Sequence, residues 1–352
     1  IGSRPGVMLM RHGLVVILVL VFAMATSAAA RDAPSRPGVD APELAHLGRF
    51  DVGVRTLALV DSAQVDVLAF DPATGIAPKR DRALTVDLWY PAGVAAGATP
   101  ETYSGSFPAE PPAPPTRFTI RGIAVRDARP AVGRFPLVVV SHGYSNESVA
   151  MSWLTENLAS KGYVVAAIRH ADPPITDRSK FPEPLLRRPL DIAFVTRALQ
   201  RSLADGGSVD PSRVALIGYS MGGYGVLAAA GGELEPESPL ARLIPGGILA
   251  PYTRGGASRD ALQVAGVKAV VAFSPGGGSL QAWGSEGLRA ITAPLLLISG
   301  DRDWTVDYQT GARAFFDMAT NSRRYLLTFR GAGHRIALGP APDEMRGRLC
   351  DF

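Results

Sequence analysis

From about residue 49 onward, apolar and polar positions fall into two regimes. In the first, three β-type segments, Val52 to Val60, Val65 to Phe70 and Ala83 to Tyr90, are separated by Asp, Pro and Gly turns. Pro91 to Pro115 has little periodicity and carries Pro108, Pro111, Pro112, Pro114 and Pro115, which predicts a surface excursion outside the core. Thr116 to Val125 reads as one more edge strand.

From Phe135 the pattern changes to strand and helix in alternation. Pro136 to Ser141 is a continuous apolar run, the pattern of a strand covered on both faces. Ser148 to Lys161 is amphipathic and stops at Gly162, and Tyr163 to Ile168 is a second buried strand. Pro189 to Leu203 has helical spacing with Pro at its start. Arg213 to Gly218 is a strand running into Tyr219-Ser220-Met221-Gly222-Gly223 and an Ala-rich helix. Gly231 to Gly266 is a Gly/Pro-rich insertion. Val267 to Phe273, Pro294 to Ser299 and Tyr325 to Phe329 read as further buried strands, with a helix near Tyr308 to Thr320. Such alternation predicts an α/β fold: a mostly parallel central sheet flanked by helices, with antiparallel N-terminal strands, in one domain over 49–352.

The first 48 residues read differently. Arg11 and His12 precede Leu14 to Ala25, a run with no polar side chain, followed by Thr26-Ser27-Ala28-Ala29-Ala30. A basic start, a short apolar core and small residues before a cleavage point predict a signal peptide over 1–30, and the Pro/Ala-rich 31–48 a linker. The protein is therefore expected to be exported, periplasmic or extracellular, with no stable membrane anchor after removal of the leader. Cys350 is the single cysteine, so no internal disulfide is available.

Composition narrows the partners. With 47% hydrophobic and 19% charged residues the chain can bury a full core, which excludes disorder. The formal charge is +4, and removal of residues 1–30 takes Arg4 and Arg11 and no acid, leaving +2. The basic residues are scattered, with no arginine run interleaved with aromatics, so no nucleic-acid partner is expected. Neither H-E-x-x-H nor paired His occurs, so no metal is expected.

The chemistry lies in Gly218-Tyr219-Ser220-Met221-Gly222, a G-x-S-x-G between a buried strand and a helix. A sharp turn lifts the serine clear of the sheet, and the helix brings N–H groups to developing negative charge. A serine nucleophile needs a base. His12 and His46 precede the sheet, whereas His142, His170 and His334 sit at carboxyl ends of strands, where functional loops gather. The order Ser…acid…His selects His334, in Gly331-Ala332-Gly333-His334; His170 reads better as a packing residue. For the carboxylate, Gly300-Asp301-Arg302-Asp303 offers Asp303 first and Asp301 as the alternative, the unused one capping a helix or pairing with Arg302. Two N–H donors are needed for an oxyanion: Met221, directly after the serine, and Tyr144, in the loop Ser141 to Asn146.

These residues resemble the α/β-hydrolase superfamily, and more narrowly the dienelactone hydrolase-like and platelet-activating-factor-acetylhydrolase-like esterases. Three blocks carry the resemblance: Asp87-Leu88-Trp89-Tyr90-Pro91; Phe135 to Asn146 with Gly162-Tyr163-Val164-Val165; and Leu216 to Gly223. It implies a cofactor-free ester hydrolase with Ser220, Asp303 and His334 as its triad. The Tyr144 and Met221 pair is also similar to that of bacterial cutinases and poly(ethylene terephthalate) hydrolases. Those enzymes carry a Trp where this chain has Ser274-Pro275-Gly276-Gly277. Family members also continue past the histidine with a final helix; 18 residues follow His334, including Pro340 and Pro342, so a C-terminally shortened domain is expected. The expected function is a secreted serine carboxylic ester hydrolase acting on small or short-chain esters through an acyl-enzyme. The alternatives are a polyesterase on a polymeric ester, a peptidase of the prolyl-oligopeptidase kind and a non-catalytic binding protein. Oligomeric state is not encoded in any motif.

Overall fold

Residues 1–2, 42–107, 114–206 and 208–339 are described by a computed structural model. The chain divides into two units, 1–35 and 36–352. The expected signal peptide lies outside the described residues apart from positions 1 and 2. The linker is described only from Pro42, where a short helix α1 (Pro42–Ala45) begins.

Two long strands, β1 (Asp51–Val65) and β2 (Lys79–Gly93), pair antiparallel with Val54 opposite Trp89. β1 runs further than its hydrophobic pattern predicts because a register shift between Asp61 and Gln64, with Ala63 at φ 55°, lets pairing resume after the bulge. Val65 to Phe70 is correspondingly not a separate strand: Asp66 accepts from the Leu68 N–H at 3.2 Å and starts a 3-10 turn over Val67–Ala69.

The Pro-rich excursion also departs from expectation. β3 (Thr102–Phe107) and β4 (Thr116–Arg121) form a two-stranded sheet of their own, and β5 (Val125–Arg126) adds parallel to β1 while β6 (Arg129–Pro130) pairs β2. The hairpin has a buried root. Tyr103 is 4% exposed, its hydroxyl accepting from Trp89 Nε1 at 2.8 Å and donating to Glu156 Oε1 at 2.8 Å. The buried Glu156 carboxylate also accepts the N–H groups of Ile123 (2.8 Å) and Ala124 (3.0 Å), so its desolvation is compensated.

The central strands are β7 (Phe135–Ser141), β8 (Val164–Arg169), β9 (Val209–Tyr219), β10 (Val267–Phe273), β11 (Leu295–Gly300) and β12 (Arg324–Phe329). Among the described residues the sheet order is β5-β1-β2-β8-β7-β9-β10-β11-β12, parallel from β8 to β12, with β2 antiparallel to β8. This is the expected mostly parallel, helix-flanked sheet with antiparallel strands at its N-terminal end. Helices α2 (Ser152–Ser160), α3 (Pro182–Asp205) and α4 (Met221–Ala229) follow β7, β8 and β9, and three short ones come later: α5 (Pro239–Leu243), α6 (Ser285–Arg289) and α7 (Ala314–Met318). Alternate residues of β7 enter two cores. Leu137 and Val139 pack with Leu185, Ile192 and Val226, while Val138 and Val140 pack with Met151 and Ala159. β12 is not fully buried as its composition suggests; as an edge strand it leaves Tyr325, Leu327 and Phe329 about half exposed.

Chain direction places the site. β7 sends the chain towards β8, whereas β9 sends it towards β10, so the loops after β7 and β9 part company above adjacent strands. Such a switch point opens a crevice at the carboxyl ends of the strands.

α3 begins seven residues before Pro189, which therefore lies inside the helix. Proline removes the N–H that would bond the carbonyl of Leu185. The buried Tyr224 hydroxyl takes over, donating to Leu185 O at 2.9 Å. Tyr224→Phe should therefore leave a buried carbonyl unpaired and lower the unfolding free energy by about 1–3 kcal/mol in urea titrations. An unchanged midpoint and slope would show that the carbonyl finds another partner.

Candidate active site

β9 ends in a backbone turn that no ordinary residue favours. Ser220 has φ 55° and ψ −116°, a conformation costing roughly 1–3 kcal/mol that surrounding structure must hold. It is held from both sides: the Ser220 N–H donates to Phe273 O, and its carbonyl accepts from Gly276, each at 2.9 Å. The glycines of the motif have a steric cause. A Cβ on Gly218 would lie 2.2 Å from Gly222 O, and one on Gly222 would lie 2.0 Å from Ser141 O. The turn is thus pressed directly against the end of β7.

His334, after β12, points its Nε2 at Ser220 Oγ at 2.9 Å, and its Nδ1 meets Asp303 Oδ2 at 2.9 Å. Its ring lies on Tyr219, with centroids 5.1 Å apart. The Asp303 side chain is 0% exposed, and its other oxygen accepts the N–H groups of Thr305 (3.1 Å) and Val306 (3.3 Å). Burial raises the Asp303 pKa, but the His334 hydrogen bond and charge, with the Ser274 hydroxyl and Val306 N–H, outweigh it and hold the carboxyl below its ordinary value. Asp301, two residues earlier, has a different place: it accepts from Gly331 N–H at 2.6 Å and so pins the His334 loop to the end of β11. Trp304, between the two turns, is 82% exposed.

On the other side of Ser220, Met221 is the first residue of α4, so its N–H has no acceptor within the helix. Tyr144 lies in the loop after β7, its ring against Phe181 at 5.7 Å. Burial pushes its phenol up to about 12, and the hydroxyl has no hydrogen-bond partner among the described residues.

The remaining strand-end histidines are elsewhere. His142 is buried, with Nδ1 on Gly143 O at 2.7 Å; burial, then the Arg188 and His170 charges, hold its pKa well below the ordinary value. His170 Nε2 meets Ser141 Oγ and its Nδ1 meets Asp191 Oδ2, each at 2.9 Å. Arg82 and Arg188 complete this buried layer, the first through Asp191 and the second through Asp172. Motif reading does not single out Ser141, Asp172, Arg188 or Asp191. The available signal is Arg187-Arg188 and Asp191 on an otherwise apolar helix face. Among the described residues no group of three His, Cys, Asp or Glu could hold a metal ion, and no helix is long and apolar enough to cross a membrane.

Comparison with known proteins points to ester hydrolases. Residues 125–243 match a family described as PET hydrolase-like. Cutinase 2 of Thermobifida cellulosilytica is 27% identical over 200 residues, covering 56% of this chain and 59% of that protein. Cutinase est2 of Thermobifida alba is 33% identical over 106 residues, covering 29% of this chain and 33% of that one. The chain resembles cutinase-type polyesterases. The matched stretch spans between a third and three-fifths of the length of these relatives. A ferulic acid esterase from Streptomyces cinnamoneus has a TM-score of 0.46 at 23% identity, covering 80% of this chain and 73% of that one.

The buried layer has a pH signature. Burial, then the Arg188 charge, lowers His170 from 6.5 to about 4. The unfolded chain therefore takes up this proton below about pH 6.5 while the folded protein does not, and stability drains away as pH falls through that window. Chemical denaturation should show wild type losing on the order of 1–3 kcal/mol more than His170→Asn between pH 6.5 and 4. Equal losses would mean that His170 is already protonated in the folded state.

Proposed function

We propose that the protein is an exported serine carboxylic ester hydrolase acting through an acyl-enzyme, with Ser220, His334 and Asp303 as its catalytic triad. One observation carries the proposal: the continuous line from Ser220 Oγ through the His334 ring to the buried Asp303, at 2.9 Å for each step. His334 Nε2 takes the hydroxyl proton as Oγ attacks the ester carbonyl. Its Nδ1–H stays on Asp303, which fixes the tautomer and stabilises the imidazolium. The carbonyl oxygen becomes an oxyanion held by the Tyr144 and Met221 N–H groups, each worth roughly 3 kcal/mol in comparable sites. His334 then protonates the leaving alcohol, and water repeats the sequence on the acyl-enzyme.

Soluble short-chain esters are the proposed substrates, and a polymeric ester is the second reading. The PET hydrolase-like match and the exposed Trp304, directly after Asp303, favour that second reading.

Hydrolysis of p-nitrophenyl acetate, butyrate, octanoate and palmitate by wild type and Ser220→Ala tests the first reading. Turnover should favour the short esters and vanish in the variant; serine-independent or absent turnover from folded protein would overturn it. Asp303→Asn should lower kcat about 10⁴-fold, as loss of the orienting carboxylate does elsewhere, whereas Asp301→Asn should cost far less. If a polymer is the substrate, Trp304→Ala should cut product release from a polyester film several-fold while leaving p-nitrophenyl butyrate hydrolysis within twofold. Equal effects on film and soluble ester would remove Trp304 from any polymer contact.

A further inference from the structure

The oxyanion loop is held from behind by buried charge. The Gly143 carbonyl receives three donors: His142 Nδ1 at 2.7 Å, Arg188 Nη2 at 3.1 Å and the Asn146 N–H at 3.2 Å. Arg188 also donates through Nη1 to His142 O at 2.5 Å and to Ser141 Oγ at 3.2 Å. The guanidinium is itself fixed by Asp172, through Nε at 3.1 Å and a short Nη2 contact. The Arg188 side chain is 0% exposed and that of Asp172 5%, so each charge depends on the other.

One protonation assignment satisfies the layer. His142 Nδ1 faces a carbonyl and must carry hydrogen, so its Nε2 is free to accept the His170 N–H at 3.4 Å. His170 Nδ1 faces Asp191 and must also carry hydrogen, so its Nε2 accepts from the Ser141 hydroxyl. Ser141 Oγ in turn accepts from Arg188, and Asp191 accepts two bonds from Arg82 at 2.7 and 2.8 Å. A buried network with its donors and acceptors matched in this way is rigid.

The clamped carbonyl belongs to the peptide whose N–H is that of Tyr144. In a trans peptide the two groups point in opposite directions. Fixing Gly143 O towards Arg188 therefore turns the Tyr144 N–H away from the interior. The loop borders the nucleophile turn: a Cβ on Gly143 would lie 3.0 Å from the Tyr219 ring, and one on Gly222 2.8 Å from His142 O. Resting on the ester-hydrolase reading above, we propose that Arg188, held by Asp172, and neutral His142 are positioning residues that clamp the Gly143 carbonyl and so aim the Tyr144 N–H at the oxyanion over Ser220. Without the clamp this peptide can rotate, replacing a donor with a carbonyl lone pair that repels the anion.

Arg188→Lys keeps a charge beside Asp172 but cannot fork to two carbonyls, and Arg188→Met with Asp172→Leu removes both charges together. Each is compared with wild type, at equal folded concentration by circular dichroism, on p-nitrophenyl butyrate and its thionoester. The expected result is a loss in kcat of about 10²-fold with KM within about twofold, the loss of one oxyanion donor. The preference for oxoester over thionoester should shrink about tenfold, because a thiolate oxyanion analogue accepts hydrogen bonds poorly and has less to lose. Folded variants that retain kcat, or that lose both substrates equally, would overturn the clamp. A structure of wild type carrying a phosphonate on Ser220 tests it without any variant: Tyr144 N should lie within hydrogen-bond distance of the phosphoryl oxygen, and a Gly143 carbonyl turned towards that oxygen would overturn it. Wild type without Ser220-dependent turnover would bring down the hydrolase reading and the clamp together.

Discussion

The turn from β9 into α4 sets the terms for the rest of the site. Its serine adopts a φ of 55° that neighbouring backbone has to enforce, and the enforcement comes from Phe273 O on β10 and Gly276 N–H beyond it. Because β9 is central, with strands on both sides and helices over both faces, the turn cannot relax without disturbing the core. The same geometry forbids side chains at Gly218 and Gly222, which lets the end of β7 come into direct contact with the start of α4. The loop after β7, which carries Tyr144, is thereby brought against the turn that holds the serine.

Two Ser–His–Asp arrays sit one beneath the other at this end of the sheet. The upper one joins Ser220, His334 and Asp303; the lower joins Ser141, His170 and Asp191. Residue type and distance do not distinguish them. Surroundings do. Ser141 and the His170 side chain are 0% exposed, and Arg188 presses a positive charge on the lower array that disfavours an imidazolium. His334 keeps 11% of its side chain in solvent, and its serine stands on a strained turn at the crevice. The lower array has the surroundings of scaffolding, and the upper one those the proposed reactive centre needs.

Which features could be read along the chain follows from how local their causes are. The G-x-S-x-G turn is legible because its residues are contiguous, with Gly218 crowded by Gly222 inside the motif even though Gly222 answers to the distant Ser141; the parallel sheet is legible because strands covered on both faces are uniformly apolar. Asp301 and Asp303 share one turn and differ only in which side of it they face, a matter settled by the positions of Gly331 and His334 some thirty residues away. The full length of α3 was hidden because Pro189 is normally a helix start, and the hydroxyl that compensates for it belongs to Tyr224. The hairpin of β3 and β4 looked like surface chain because its anchors, Trp89 and Glu156, lie outside the segment. Arg188 is illegible along the chain for the same reason: its partners sit on β7, the loop after it and the loop after β8.

Reaction of the folded protein with a fluorophosphonate, followed by intact-mass analysis and peptide mapping, addresses the nucleophile without presuming a substrate. A nucleophilic serine activated by His334 should give a single adduct on the peptide containing Ser220, and His334→Ala should slow its formation by several orders of magnitude. A folded protein that takes up no reagent, or takes it up on another residue at a rate indifferent to His334, would contradict the assignment of Ser220 as the reactive centre.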